Sequence, residues 1–176
     1  DGVEFFVHSP FGKRDEENVV RVRNNDALFM QATFEVDGQQ TKLILSADVT
    51  HEVIDDIVDV TRYHDRELRL VWDINNVPHH CSYKSLSDEK GEEKTEPSAS
   101  SKWLYEEAGQ RGGLLVSTSK VIPSDDEDKQ PPHRQAAAYY KGVAKHLGGE
   151  WVVSMEHPSK SKPEPLVIEI KSTGYK

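Results

Sequence analysis

From Leu28 to Val36 apolar and polar positions alternate. Leu28, Met30, Ala32, Phe34 and Val36 fall on one side, Gln31, Thr33 and Glu35 on the other with Phe29. That period belongs to a strand. Asp37-Gly38 follows, a pair that accepts the positive φ angles of a type I′ turn, so the chain is expected to double back. Pairing about the turn sets Phe34 opposite Thr41, Ala32 opposite Leu43 and Met30 opposite Leu45. Glu35 then faces Gln40 and Thr33 faces Lys42, which predicts one apolar face and one wet face.

The same reading extends along the chain. Val3–Val7 and Asn18–Arg23 read as strands separated by a turn-rich stretch. After the hairpin the period lengthens: Val53, Ile54, Ile57, Val58 and Thr61 form a helical stripe opposite Glu52, Asp55, Asp56 and Asp59. Thr50 or Asp48 is the expected cap. Residues 67–74 alternate again, with Leu68, Leu70, Trp72 and Ile74 on one side. A short helix is predicted from Trp103, stopped by Gly109, and then a strand over Gly113–Ile122. From Pro131 onwards the pattern is helical, with Pro132 in the first turn, Ala136–Ala138 inside and Gly148-Gly149 as the stop. Two apolar strands close the chain, Trp151–Glu156 and Leu166–Lys171, around a Pro/Lys/Ser loop.

Runs of strands with few helices predict an α+β fold: a mostly antiparallel sheet of about seven or eight strands, with two or three helices packed on it. The expected organisation is one domain over residues 1–176. A polar insertion at about 86–101, too poor in apolar side chains to offset its ordering entropy, is expected to be mobile and marks a possible boundary.

Composition changes this picture in two places. The hydrophobic fraction is 35% and the charged fraction 30%, which suits a modest core with long polar loops. The net charge is −9, but residues 87–99 and 124–130 carry −3 each, so two acidic loops hold most of it. A dedicated nucleic-acid binder is disfavoured, because such binding relies on Lys and Arg at phosphates. Cys81 is the single cysteine, so no intramolecular disulfide framework exists, and an intracellular location is expected. No apolar run approaches the roughly 18 residues of a membrane span. The chain opens on Asp1, from which a fragment or subunit of a larger assembly is expected.

Candidate chemistry concentrates at the C-terminus. If the last two strands form a hairpin with Trp151, Val153 and Met155 inward, then Glu156, Glu169 and Lys171 share the outer face. Two carboxylates suit Mg²⁺, and a lysine beside them can orient an attacking water. The helix, the hairpin and Glu169-Ile170-Lys171 resemble the catalytic half of the PD-(D/E)xK nuclease family over roughly residues 133–172. The resemblance implies Mg²⁺-dependent phosphodiester cleavage by Glu156, Glu169 and Lys171. The chain departs from the family pattern in having Glu156 in place of the usual Asp, followed by His157-Pro158, and little chain after Lys171. As plain strand chemistry, the same three residues form a solvated face with a surface ion pair.

His79, His80 and Cys81 are metal-ligand types, but on a strand His80 points away from the other two and no spaced partner motif accompanies them. Gly109–Gly113 is glycine-rich without the Lys-Ser/Thr ending of a phosphate loop. Phe6 and Phe29 fall opposite their apolar neighbours and are expected as exposed sheet aromatics. The preferred reading is therefore a non-catalytic protein-interaction module without a cofactor, bound to a protein partner or to itself. The Mg²⁺-dependent nuclease is the alternative, and a sheet platform that stacks single-stranded nucleic acid is the third.

Overall fold

The computed structural model describes residues 1–12 and 23–176. Six strands form the main sheet in chain order: β1 (Gly2–Ser9), β2 (Phe29–Val36), β3 (Gln39–Ser46), β4 (Trp72–Asn76), β5 (Gly109–Ser117) and β6 (Glu150–Val153). The strand expected over Asn18–Arg23 lies outside the described residues except for Arg23, which opens a 3₁₀ turn to Asp26.

The β2–β3 hairpin has the expected register pair by pair, from Val36 opposite Gln39 to Met30 opposite Leu45. Asp37 and Gly38 supply the two positive φ angles, 51° and 81°. β1 adds antiparallel to β2. The remaining three pairings, β3–β4, β4–β5 and β5–β6, are parallel. The sheet is thus mixed, not mostly antiparallel, and two short two-stranded ribbons bring the described strands to ten. The cause is a set of crossovers. Helix α1 (His51–Tyr63) links β3 to β4, α2 (Ala99–Lys102) with the π turn after it links β4 to β5, and α3 (Arg134–Leu147) links β5 to β6.

Parallel connections are right-handed in nearly all cases. A strand order that steps always in one direction therefore lands every crossover on one face. The main core lies there. It joins the stripe Val53, Ile54, Ile57 and Val58 and the α3 residues Tyr140, Val143 and Leu147 to Phe29, Ile44, Trp72 and Leu115 of the sheet. Burying each large side chain contributes roughly 1.5–3 kcal/mol. This inverts the hairpin's expected faces, because Phe29 and Ile44 join the helix-side core and Gln31 donates to the Leu68 and Val71 carbonyls, while Met30 and Phe34 look the other way.

The opposite face is closed by the end of the chain. Leu166, Ile168, Ile170 and Tyr175 pack on Ile74, Leu114, Val116, Leu43 and Val152. In this segment β9 (Ile170–Lys171) pairs with β10 (Gly174–Tyr175), while β7 (Pro158–Ser159) pairs with β8 (Lys162–Pro163). The expected hairpin between Trp151–Glu156 and Leu166–Lys171 does not form; β6 pairs with β5 instead.

Other expectations shift locally. The strand expected over residues 67–74 begins only at Trp72; Glu67–Arg69 is a 3₁₀ turn and leaves Leu68 exposed. The glycines at 109 and 113 mark the close approach of β5 to an indole. A Cβ there would stand 2.5 Å and 2.8 Å from Trp72 ring atoms. The polar segment 86–101 is laid along the helices by backbone and hydroxyl bonds. The Thr95 amide donates to the Gln135 carbonyl (3.2 Å), the Ser98 amide to the Leu86 carbonyl (2.7 Å), and the Ser100 hydroxyl to Asp59 (3.1 Å). Asp126 of the second acidic loop accepts from Gln135, Lys90 and Arg134, which pull its carboxyl far below the usual range. The two acidic loops are joined to each other and to the start of α3 by this one carboxylate.

Candidate functional site

The C-terminal trio separates into two environments. Glu169 and Lys171 lie close on the last ribbon as an ion pair of 2.6 Å, both side chains at least half exposed. The lysine's hydrogen bond holds the Glu169 carboxyl below its ordinary value. The Glu169 backbone exchanges two 2.9 Å bonds with Lys176. Glu156 sits in the 3₁₀ turn after β6, where its Oε1 accepts from the Ile122 amide at 3.0 Å and lies 3.4 Å from Lys160 Nζ. The structure thus brings Glu169 to Lys171 and gives Glu156 other partners. Among the described residues no three His, Cys, Asp or Glu side chains gather as a metal site.

His79, His80 and Cys81 are not on a strand. They form three successive left-handed residues just beyond β4, with φ of 50°, 52° and 67°. Such a conformation costs about 1–2 kcal/mol for each non-glycine residue. It is held by amide bonds from His79 to the Ala47 carbonyl and from His133 to the Cys81 carbonyl. The side chains then diverge. His80 Nδ1–H donates to the Thr118 carbonyl at 2.8 Å, and its Nε2 stands 3.6 Å from Asp48. His79 Nδ1 is buried without a partner, and burial lowers that ring's pKa. Cys81 is fully buried, its thiol pushed up to about 12, so it carries little thiolate at neutral pH. His133 accepts the Tyr83 amide on Nδ1 and donates from Nε2 to the Lys129 carbonyl. Asp48, Thr118 and His133 complete this turn, and no spacing in the sequence joins them to it.

The aromatic expectation divides as well. Phe29 is 1% exposed, its ring edge-on to His8, because the helices cover that face. Phe6 lies on the same face under the Arg69 guanidinium, 4.8 Å from its ring centre. Arg69 in turn makes a two-pronged bond to Glu4, at 2.9 and 3.1 Å.

The exposed apolar residues of β1 are the others. Val3, Phe5 and Val7 are 48%, 57% and 55% exposed. They stand opposite Phe34, Ala32 and Met30, so they continue the apolar face that the C-terminal segment covers farther along the sheet. β1 is also an edge strand: among the described residues no strand pairs with its outer side. The hairpin fixes which backbone groups look outward. Residues flanking a two-residue turn form a hydrogen-bonded pair, so β2 turns its even-numbered backbone groups to β3 and its odd-numbered ones to β1. Gly2, Glu4 and Phe6 meet those odd positions. Among the described residues, no strand pairs with the N–H and C=O groups of Val3, Phe5 and Val7. The sequence carries the alternation of Val3–Val7 but no sign that this strand is terminal in the sheet. Comparison of the chain with protein-family models, curated proteins and solved structures gives no match.

Proposed function

We propose that this chain is a non-catalytic protein-interaction module that docks through β1, as part of a larger assembly. One observation carries the reading: an eight-residue edge strand bears three large apolar side chains, each about half exposed, at alternate positions. An uncovered, flat, apolar edge is a liability that proteins blunt with Lys, Pro or a bulge. This strand has no Lys or Pro, its one register shift falls at its end, between Val7 and Ser9, and its single charge, Glu4, is paired with Arg69. A partner strand added along it gains backbone bonds and apolar contact together.

The test is site-specific photo-crosslinking. A benzophenone amino acid at position 5, in the chain expressed in its source cells, is expected to yield discrete adducts with another polypeptide. The same group at Tyr63, more exposed than Phe5 but on α1, is expected to yield none. Equal yields from both positions, or none from position 5, contradict the reading.

A further inference from the structure

We infer that the occupant of the β1 edge is a second copy of this chain, paired antiparallel about a two-fold axis at Phe5. The inference rests on the proposed docking function and adds the identity of the partner.

Three features of the strand make it complementary to itself. First, the outward backbone groups belong to Val3, Phe5 and Val7, spaced evenly about Phe5. An antiparallel pair with Phe5 opposite Phe5 of the second copy sets Val3 opposite Val7. All these residues then meet as hydrogen-bonded pairs, with Cα atoms about 5.5 Å apart. A two-fold contact must be self-complementary in this sense. Second, the axis is perpendicular to the sheet, so the two apolar stripes lie on the same side. Phe5 packs beside Phe5, and each Val3 beside a Val7. Third, the charges agree. The same register sets Glu4 opposite Phe6 of the second copy. Phe6 is the residue over which Arg69 lies, 4.8 Å from its ring centre. Each Glu4 carboxylate, bound to its own Arg69, therefore also faces the guanidinium of the other copy. Along the paired strands Glu4 never stands opposite Glu4 of the second copy. The result is a continuous sheet of twelve strands in which neither β1 is an edge.

Sedimentation of the full chain and disulfide trapping test this together. The wild-type protein, 19.9 kDa per chain, is expected to sediment at twice that mass, with a concentration-dependent return to monomer. Phe5→Lys puts two ammonium groups side by side on the axis and is expected to weaken association by at least 10-fold, while its thermal midpoint matches that of the wild type at dilutions where both are monomeric. For register, Val3→Cys protein mixed with Val7→Cys protein is expected to form a covalent dimer on oxidation. Val3→Cys alone is not, because the two Val3 positions are roughly 13 Å apart along the strands, beyond disulfide reach. Cys81 is buried and does not compete.

A wild-type chain that stays monomeric at high concentration overturns the second copy. If position 5 nevertheless crosslinks a different polypeptide, the docking function stands without it. A dimer that survives Phe5→Lys, or that traps through Val3→Cys alone, overturns the register. A monomer with no adduct at position 5 removes both readings.

Discussion

The two faces of the central sheet are built from similar residues and closed by different means. On one face three crossover segments arrive by the geometry of parallel connection, and Phe29, Ile44, Trp72 and Leu115 disappear beneath them. On the other, among the described residues, no helix arrives. The parallel half is covered by Leu166, Ile168, Ile170 and Tyr175 from the chain's end, and that cover stops short of β1. In the proposed docking function stability and recognition are separated: the helix face holds the fold together, and the far end of the other face is the proposed contact.

Substitutions should expose this asymmetry. The largest effect belongs to the helix face. Trp72→Ala removes a fully buried indole whose N–H donates to the Leu104 carbonyl at 2.8 Å. Chemical denaturation should show a loss of about 3–5 kcal/mol. A loss below about 1 kcal/mol would mean that Trp72 is not central. Gly113→Ala should follow, at about 1–3 kcal/mol by overpacking against the same ring; a neutral result would place the indole elsewhere. On the other face Ile168→Ala is expected to cost about 1 kcal/mol, because Ile168 is only partly buried. A cost equal to that of Trp72 would erase the distinction between the faces.

The loops predict a pH effect. Asp126 has a folded pKa far below its ordinary 3.8, owing first to the hydrogen bond from Gln135 and then to Lys90 and Arg134. The unfolded state therefore takes up this proton first as pH falls. The stabilisation is complete above about pH 4 and is lost progressively below it. Acid unfolding followed by circular dichroism should lose part of its steepness below pH 4 in Asp126→Asn; an unchanged profile would detach the carboxylate from the fold. The smallest effect on stability belongs to β1. Phe5→Thr should move the unfolding free energy by no more than about 0.5 kcal/mol while abolishing association. A large loss would make Phe5 a core residue.

The register of the hairpin was legible, because Asp37-Gly38 fixes the turn and alternation separates the two faces. The stripe of α1 was legible for the same reason: a period depends only on local geometry. Which side of the hairpin would be covered was not. Alternation separates two faces but does not name the one that crossovers will land on, and Phe29 was misplaced for that reason. The closing strands failed similarly. Two apolar runs near each other in sequence suggest a hairpin, but α3 returns β6 parallel to β5 and takes its pairing edge, leaving Ile170–Lys171 to pair with Gly174–Tyr175. Glu156 was separated from Glu169 and Lys171 by that single difference. The left-handed run His79–Cys81 had no signal at all, since none of those residue types favours positive φ as glycine does.

Amide hydrogen exchange along β1 tests the central claim, an open edge used for docking, most directly. In dilute protein the amides of Val3, Phe5 and Val7 should exchange freely while those of Glu4 and Phe6, bonded to β2, stay protected. When the protein is concentrated or bound to its crosslinked partner, the first three should become protected together. Equal protection of all five amides in dilute protein would mean that the edge is already occupied, and would contradict the account.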